Sequence, residues 1–182
     1  LENAAEDYIY SFRKLHEFGD YIVLNVSSPN TPGLRELQAQ QALADLLTAV
    51  QSENGSARKP ILVKIAPDLS PEELEEIIAV CEGSGVAGLI ATNTTLDHAT
   101  IPPERDQTGG LSGVPLREKA TEFVRAIRAR TTLPIVAVGG INDAASAREQ
   151  LAAGATLLQV YTGYIYRGPA LLTELTGALE RR

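Results

Sequence analysis

Five short apolar runs divide the chain, at residues 21–26, 61–66, 88–92, 135–138 and 156–161. They are continuous rather than alternating and rich in Val, Ile and Leu, which is how strands buried on both faces of a parallel sheet read. The stretches between them carry helical signals. Ser70-Pro71-Glu72-Glu73 is a capping box with Pro at the first helical position, so hydroxyl and carboxylate satisfy exposed amides at the helix start. The helix that follows spaces Leu74, Ile77, Ile78 and Cys81 along one apolar face, which places Cys81 in the core rather than in catalysis. Asn142 or Asp143 can cap a helix that runs through Leu151 and closes at Gly154. Leu171, Leu172, Leu175 and Leu179 give the last helix a buried stripe. Residues 6–18, 43–51 and 116–130 read as further helices. The order α-β-α-β-α-β-α-β-α-β-α predicts right-handed βαβ units.

Repeated βα units build either a doubly wound open sheet or a β/α barrel, and the polar residues choose between them. Nearly every predicted strand ends in a polar or Gly-rich cluster: residues 25–30, Lys64, residues 92–95, Gly139 with Gly140, and residues 161–163. Catalytic groups from many successive strand ends mark the top face of a barrel. An open sheet gathers its site at one switch point instead. The expected fold is therefore α/β, a partial TIM (β/α)8 barrel within a single domain over residues 1–182, with five of the barrel's eight strands present. The longest connection, residues 96–114, contains Gly and Pro and is expected to form a functional loop over one barrel end.

Composition narrows the function. Hydrophobic residues make up 44% of the 182, enough for one sizeable core. The net charge is -7 with Lys and Arg scattered, so no basic stripe invites nucleic acid. No run of eighteen apolar residues spans a membrane, and no signal peptide opens the chain. Cys81 stands alone, which fits a reducing compartment, and with His16 and His98 as the only histidines no metal cluster is expected. The chain has no Met and starts at Leu1 on helix-like sequence, so it is expected to be a fragment without its original N-terminus.

The strand ends carry candidate chemistry. Residues 137–142, Ala-Val-Gly-Gly-Ile-Asn, follow one strand and open a helix, and Tyr161-Thr162-Gly163 follow the next. Glycines admit an anion close to the backbone, and the last two barrel strands often hold a phosphate this way. A tight turn alone would also account for Gly139 and Gly140. Lys64 lies within an apolar strand, and a lysine there needs a structural ion pair, a snorkelling path or an anionic ligand. Asn25 interrupts another apolar strand, Asn30 follows on its loop, and Thr92-Asn93-Thr94-Thr95 repeats this chemistry after the third strand. Amides and hydroxyls suit the edges of a polar heterocycle, although the same residues also cap turns. Ser28 raises a hydrolase, but there is no Gly-x-Ser-x-Gly elbow and no third member for a Ser28–His98 pair is evident.

These segments resemble the quinone-linked, class 2 dihydroorotate dehydrogenases. The resemblance rests on residues 25–35 (NVSSPNTPGLR), 63–69 (VKIAPDL), 91–95 (ATNTT), 108–113 (TGGLSG), 138–141 (VGGI) and 159–163 (QVYTG), in family order and at family-like spacing from about Ala4 onward. It implies an FMN flavoprotein that oxidises dihydroorotate to orotate in pyrimidine biosynthesis, with quinone as final electron acceptor. Ser28 would be the general base, where class 1 relatives carry a cysteine. Asn25, Asn30, Asn93 and Thr94 would bind the substrate. Asn25, Lys64, Thr92, Gly113, Gly140, Tyr161 and Thr162 would bind FMN, the last three near its phosphate. It further implies that three preceding βα units and a small helical domain are absent. In the family that domain admits quinone and touches the cytoplasmic side of the inner membrane peripherally. The polypeptide alone is then expected to be inactive and poorly stable. The alternatives are another FMN- or phosphate-binding β/α-barrel enzyme, or a non-catalytic truncated fragment.

Overall fold

A computed structural model describes residues 3–179. Five parallel strands form one sheet in chain order: β1 (Ile22–Asn25), β2 (Ile61–Ile65), β3 (Gly88–Ala91), β4 (Ile135–Val138) and β5 (Leu157–Gln159). Helix α1 (Ala4–Leu15) precedes β1, and α2 (Gln40–Asn54), α3 (Pro71–Gly83), α4 (Arg117–Arg128) and α5 (Ala144–Ala152) make the four crossovers. Helices α6 (Thr162–Arg167) and α7 (Pro169–Leu179) close the order. No strand is skipped and the order never reverses, which is the wall of a β/α barrel rather than a doubly wound sheet.

Register decides what each side chain faces. Parallel partners share a face of the sheet, and alternate residues change face. The paired row Leu24, Val63, Leu89 and Ile135 lies under the helices and is fully buried in the main core. The next row, Asn25, Lys64, Ile90, Val136 and Leu157, lies on the opposite face. Burial on both faces, as expected from the apolar runs, holds for β3 and fails at the outer strands. Leu157 is 62% exposed and Asn25 is exposed as well. Among the described residues β1 and β5 each have a single neighbour in the sheet. Tyr21 and Tyr161, expected as strand residues, lie outside the strands and are exposed.

Local signals set the helix ends. Ser70 Oγ accepts from the Glu73 amide at 3.2 Å while Glu73 Oε2 accepts from the Ser70 amide at 2.7 Å, completing the capping box. Of the two candidates for α5, Asp143 is the cap, accepting from the Ser146 amide at 2.7 Å. The stripe of α7 is narrower than its leucines suggest. Leu171 and Leu175 are buried against Ile141 and Ala147, whereas Leu172 is exposed, one residue further round the helix. Helix α6 was not expected, because six residues are too few for a helical period to show.

Cys81 is fully buried on α3, and burial, with a smaller push from Glu82, raises its thiol to about 12. Only the thiolate reacts, so Cys81 is expected to resist iodoacetamide at mildly alkaline pH until the chain unfolds. Rapid alkylation in native buffer, followed by mass spectrometry, would contradict this packing.

Candidate active site

The strand ends converge. A cavity of about 310 Å³ opens among them, lined by Asn30, Lys64, Thr92, Asn93, Thr94, Ser112, Gly113, Leu116, residues 138–141 and residues 159–163. Nearly all the residues singled out from the sequence therefore meet at one place. Asn25 and Ser28 do not line the cavity. Asn25 reaches it through Asn93, whose Nδ2 donates to Asn25 Oδ1 at 2.9 Å and to Ser27 Oγ at 3.0 Å. Ser28 is half-buried on the loop that carries Asn30, and its Oγ accepts from the Asn30 amide at 3.3 Å.

Lys64 extends from β2 beside Asn25 and is half-buried. Burial lowers its pKa, and among the described residues its ammonium makes no ion pair. A structural ion pair thus does not explain the lysine, which leaves a cation on the cavity wall. Thr94 Oγ1 is buried and has no hydrogen-bond partner among the described residues, an unmet donor and acceptor at the same wall.

Gly139 and Gly140 have φ of 136° and 68°, and α4 packs directly behind them. A Cβ on Gly139 would stand 2.8 Å from Ala120 Cβ, and one on Gly140 would overlap Arg117 Cα. Turn geometry and close packing thus require both glycines independently of any ligand, while their open side bounds the cavity. Thr162, at the start of α6, ties this wall to the 96–114 loop, its Oγ1 lying 2.9 Å from Ser112 Oγ. A Cβ on Gly113 would approach Thr162 Cγ2 to 3.0 Å.

The 96–114 loop is ordered by its own contacts. Thr95 and Leu111 pair as an antiparallel bridge at its base. Across it, His98 Nδ1 meets Asp106 Oδ1 at 2.5 Å and Nε2 meets the Gly109 carbonyl at 3.0 Å. Asp106 raises the pKa of His98 against a smaller lowering by desolvation. Asp106 is therefore the partner of His98 that the sequence did not reveal, and both ring nitrogens are engaged away from Ser28. That arrangement is not a serine-hydrolase triad.

Four residues of this face escaped sequence reasoning. Tyr8 on α1 donates to the Asn25 carbonyl at 2.8 Å. Arg35, Asp68 and Lys119 form a polar hub behind the cavity, with Arg35 Nη1 at 2.9 Å and Lys119 Nζ at 2.7 Å from the Asp68 carboxylate. Burial pushes the Asp68 pKa up, but hydrogen bonds from Lys119, Thr95, Leu96 and Arg35 outweigh it and hold the group at about 2. The stabilisation from the Asp68 carboxylate is present above its unfolded pKa and is lost as pH falls through about 2. Arg35 and Asp68 lie within conspicuous segments, yet no local pattern pairs them.

The comparisons identify the fold and the family. The dihydroorotate dehydrogenase family profile matches residues 2–182. A dihydroorotate dehydrogenase (quinone) of Thermosynechococcus vestitus is 53% identical, over 98% of this chain and 52% of its own length. The protein of the same name from Anaeromyxobacter dehalogenans strain 2CP-C is 49% identical, over 99% of this chain and 51% of its own. The ligand-free crystal structure of DHODH from Eimeria tenella superposes with a TM-score of 0.90 at 36% identity, covering 97% of this chain and 55% of that one. The chain thus spans about half the length of the curated relatives it matches. On these matches, the chain belongs to the dihydroorotate dehydrogenase family and groups with its quinone-linked members.

Proposed function

We propose that residues 1–182 form one domain, the C-terminal part of a dihydroorotate dehydrogenase barrel, and that the protein oxidises (S)-dihydroorotate to orotate on FMN in pyrimidine biosynthesis. The convergence on one cavity of Lys64, which has no ion pair among the described residues, the Asn30–Asn93–Thr94 set and the Gly113 and Gly140 turns carries this reading. The names of the relatives support quinone as the final acceptor.

The residues present fit FMN. Gly140, Tyr161 and Thr162 line the cavity and would hold the phosphate, and Gly113 and Thr92 line it as well and would contact the rest of the cofactor. Bound FMN supplies a hydride acceptor. Lys64 lines the cavity and would supply positive charge to offset the negative charge of a reduced flavin held there. Asn30, Asn93 and the unpartnered Thr94 hydroxyl offer donors and acceptors to a pyrimidine acid, and Asn25 completes the set through Asn93. Ser28 takes the proton from C5 of the substrate. A serine hydroxyl is a weak base, so the proton must leave it through water or a neighbouring hydroxyl.

FMN titration with absorbance detection tests the proposal. A protein that carries this chain at the full length of its relatives is expected to bind FMN, turn yellow and change its visible spectrum when orotate is added. Failure to retain flavin, with no response to orotate, would overturn the reading. Lys64→Ala is expected to lower the flavin reduction potential and slow its reduction, read by redox titration and stopped flow. An unchanged potential and rate remove Lys64 from that role.

A further inference from the structure

The strand-end loops are tied together from two sides. On the cavity side the tie is Asn93, whose side chain bonds Asn25 and Ser27. On the far side it is Arg35, in the 3₁₀ turn Leu34–Gln38, which does not line the cavity. Its guanidinium serves three loops at once. Nε donates to the Ser27 carbonyl at 3.1 Å, Nη1 to Asp68 Oδ2 at 2.9 Å and Nη2 to the Thr94 carbonyl at 2.8 Å. These acceptors follow β1, β2 and β3 in turn.

The fork itself is held. Asp68 also receives Lys119 Nζ at 2.7 Å, Thr95 Oγ1 at 2.5 Å and the Leu96 amide at 3.0 Å. Lys119 comes from α4, so the anchor reaches the element that backs Gly140. A planar guanidinium with a fixed set of donors sets the separation of its acceptors, whereas a compact ammonium does not.

We propose that Arg35 is a positioning residue: anchored by Asp68, it sets the spacing between the 27–30 loop and Thr94, and so the placement of Ser28 against the substrate. This rests on the function proposed above for Ser28. Arg35 touches none of the reacting atoms and acts through the Ser27 and Thr94 carbonyls. Angular or sub-ångström errors between a base and its proton are costly, so the effect belongs on the chemical step more than on binding.

The test uses Arg35→Lys, Arg35→Ala and Asp68→Asn in an FMN-loaded protein that carries this chain at the full length of its relatives. Stopped flow reads the limiting rate of flavin reduction by dihydroorotate, and titration reads orotate affinity. The rate is expected to fall on the order of 100-fold in Arg35→Lys, with FMN retained and orotate affinity changed far less. Free guanidinium ion is expected to restore part of the rate to Arg35→Ala and none to Asp68→Asn. A parent rate in Arg35→Lys, or a proportional loss of rate, FMN and orotate in every variant, overturns the proposal. If dihydroorotate fails to reduce the parent protein, the function proposed above falls, and hydrogen exchange judges the clamp instead. Faster exchange in Arg35→Lys at the Leu34 and Thr95 amides, which donate to Thr31 and Leu111, supports it. Unchanged exchange there overturns it.

Discussion

Ser28→Ala, in a protein that carries this chain at the full length of its relatives, is expected to slow flavin reduction by dihydroorotate by about 10²–10⁴-fold while FMN stays bound. The magnitude is that of a positioned general base. The separation of effects follows from the geometry, since Ser28 lies on the 27–30 loop and does not line the cavity proposed for FMN. Ser28→Cys is expected to recover part of the rate, because a thiolate also accepts a proton. Stopped-flow absorbance in the flavin band, with the FMN content of each variant measured after gel filtration, checks both. Reduction of Ser28→Ala at the parent rate would place the base elsewhere. Loss of FMN from that variant would contradict the separation between Ser28 and the cofactor wall.

Gly140→Ala acts at the opposite wall and is expected to cost stability as well as FMN. Its φ of 68° disfavours any side chain, and a Cβ would overlap Arg117 Cα at the start of α4. Backbone strain and overpacking together amount to roughly 2–5 kcal/mol. Relief requires α4 to move away from the turn, which displaces the cavity wall, so FMN affinity is expected to fall with stability. Gly177→Ala is the control. A Cβ there meets nothing within 4 Å among the described residues, and in helix α7 alanine is expected to be neutral or mildly stabilising. Urea unfolding at constant m, alongside FMN titration, separates the two variants. A Gly140→Ala midpoint equal to that of Gly177→Ala would refute the packing argument.

The same turn shows how far sequence reasoning reached. The Gly139–Gly140 pair was legible as a turn at a strand end, and a phosphate gave one reason for it. The structure adds another reason that no local pattern carries, the approach of α4 from some twenty residues earlier in the chain. Lys64 was legible as an anomaly in an apolar strand. That it has no ion pair among the described residues, and that it stands in register beside Asn25, required the sheet.

The five strands, the helices longer than two turns, the Ser70 capping box and the burial of Cys81 were readable from residues within a few positions of one another, because short-range periodicity and capping are local energies. Other features were not readable in this way. Leu157 and Leu172 are exposed, Asp106 engages His98, and Arg35, Asp68 and Lys119 share one carboxylate. Each depends on which residues strand register and helix packing bring together from distant parts of the chain. Charges and hydrogen-bond donors carry no periodic signature of their partners, so their pairing is decided only when the backbone has been placed.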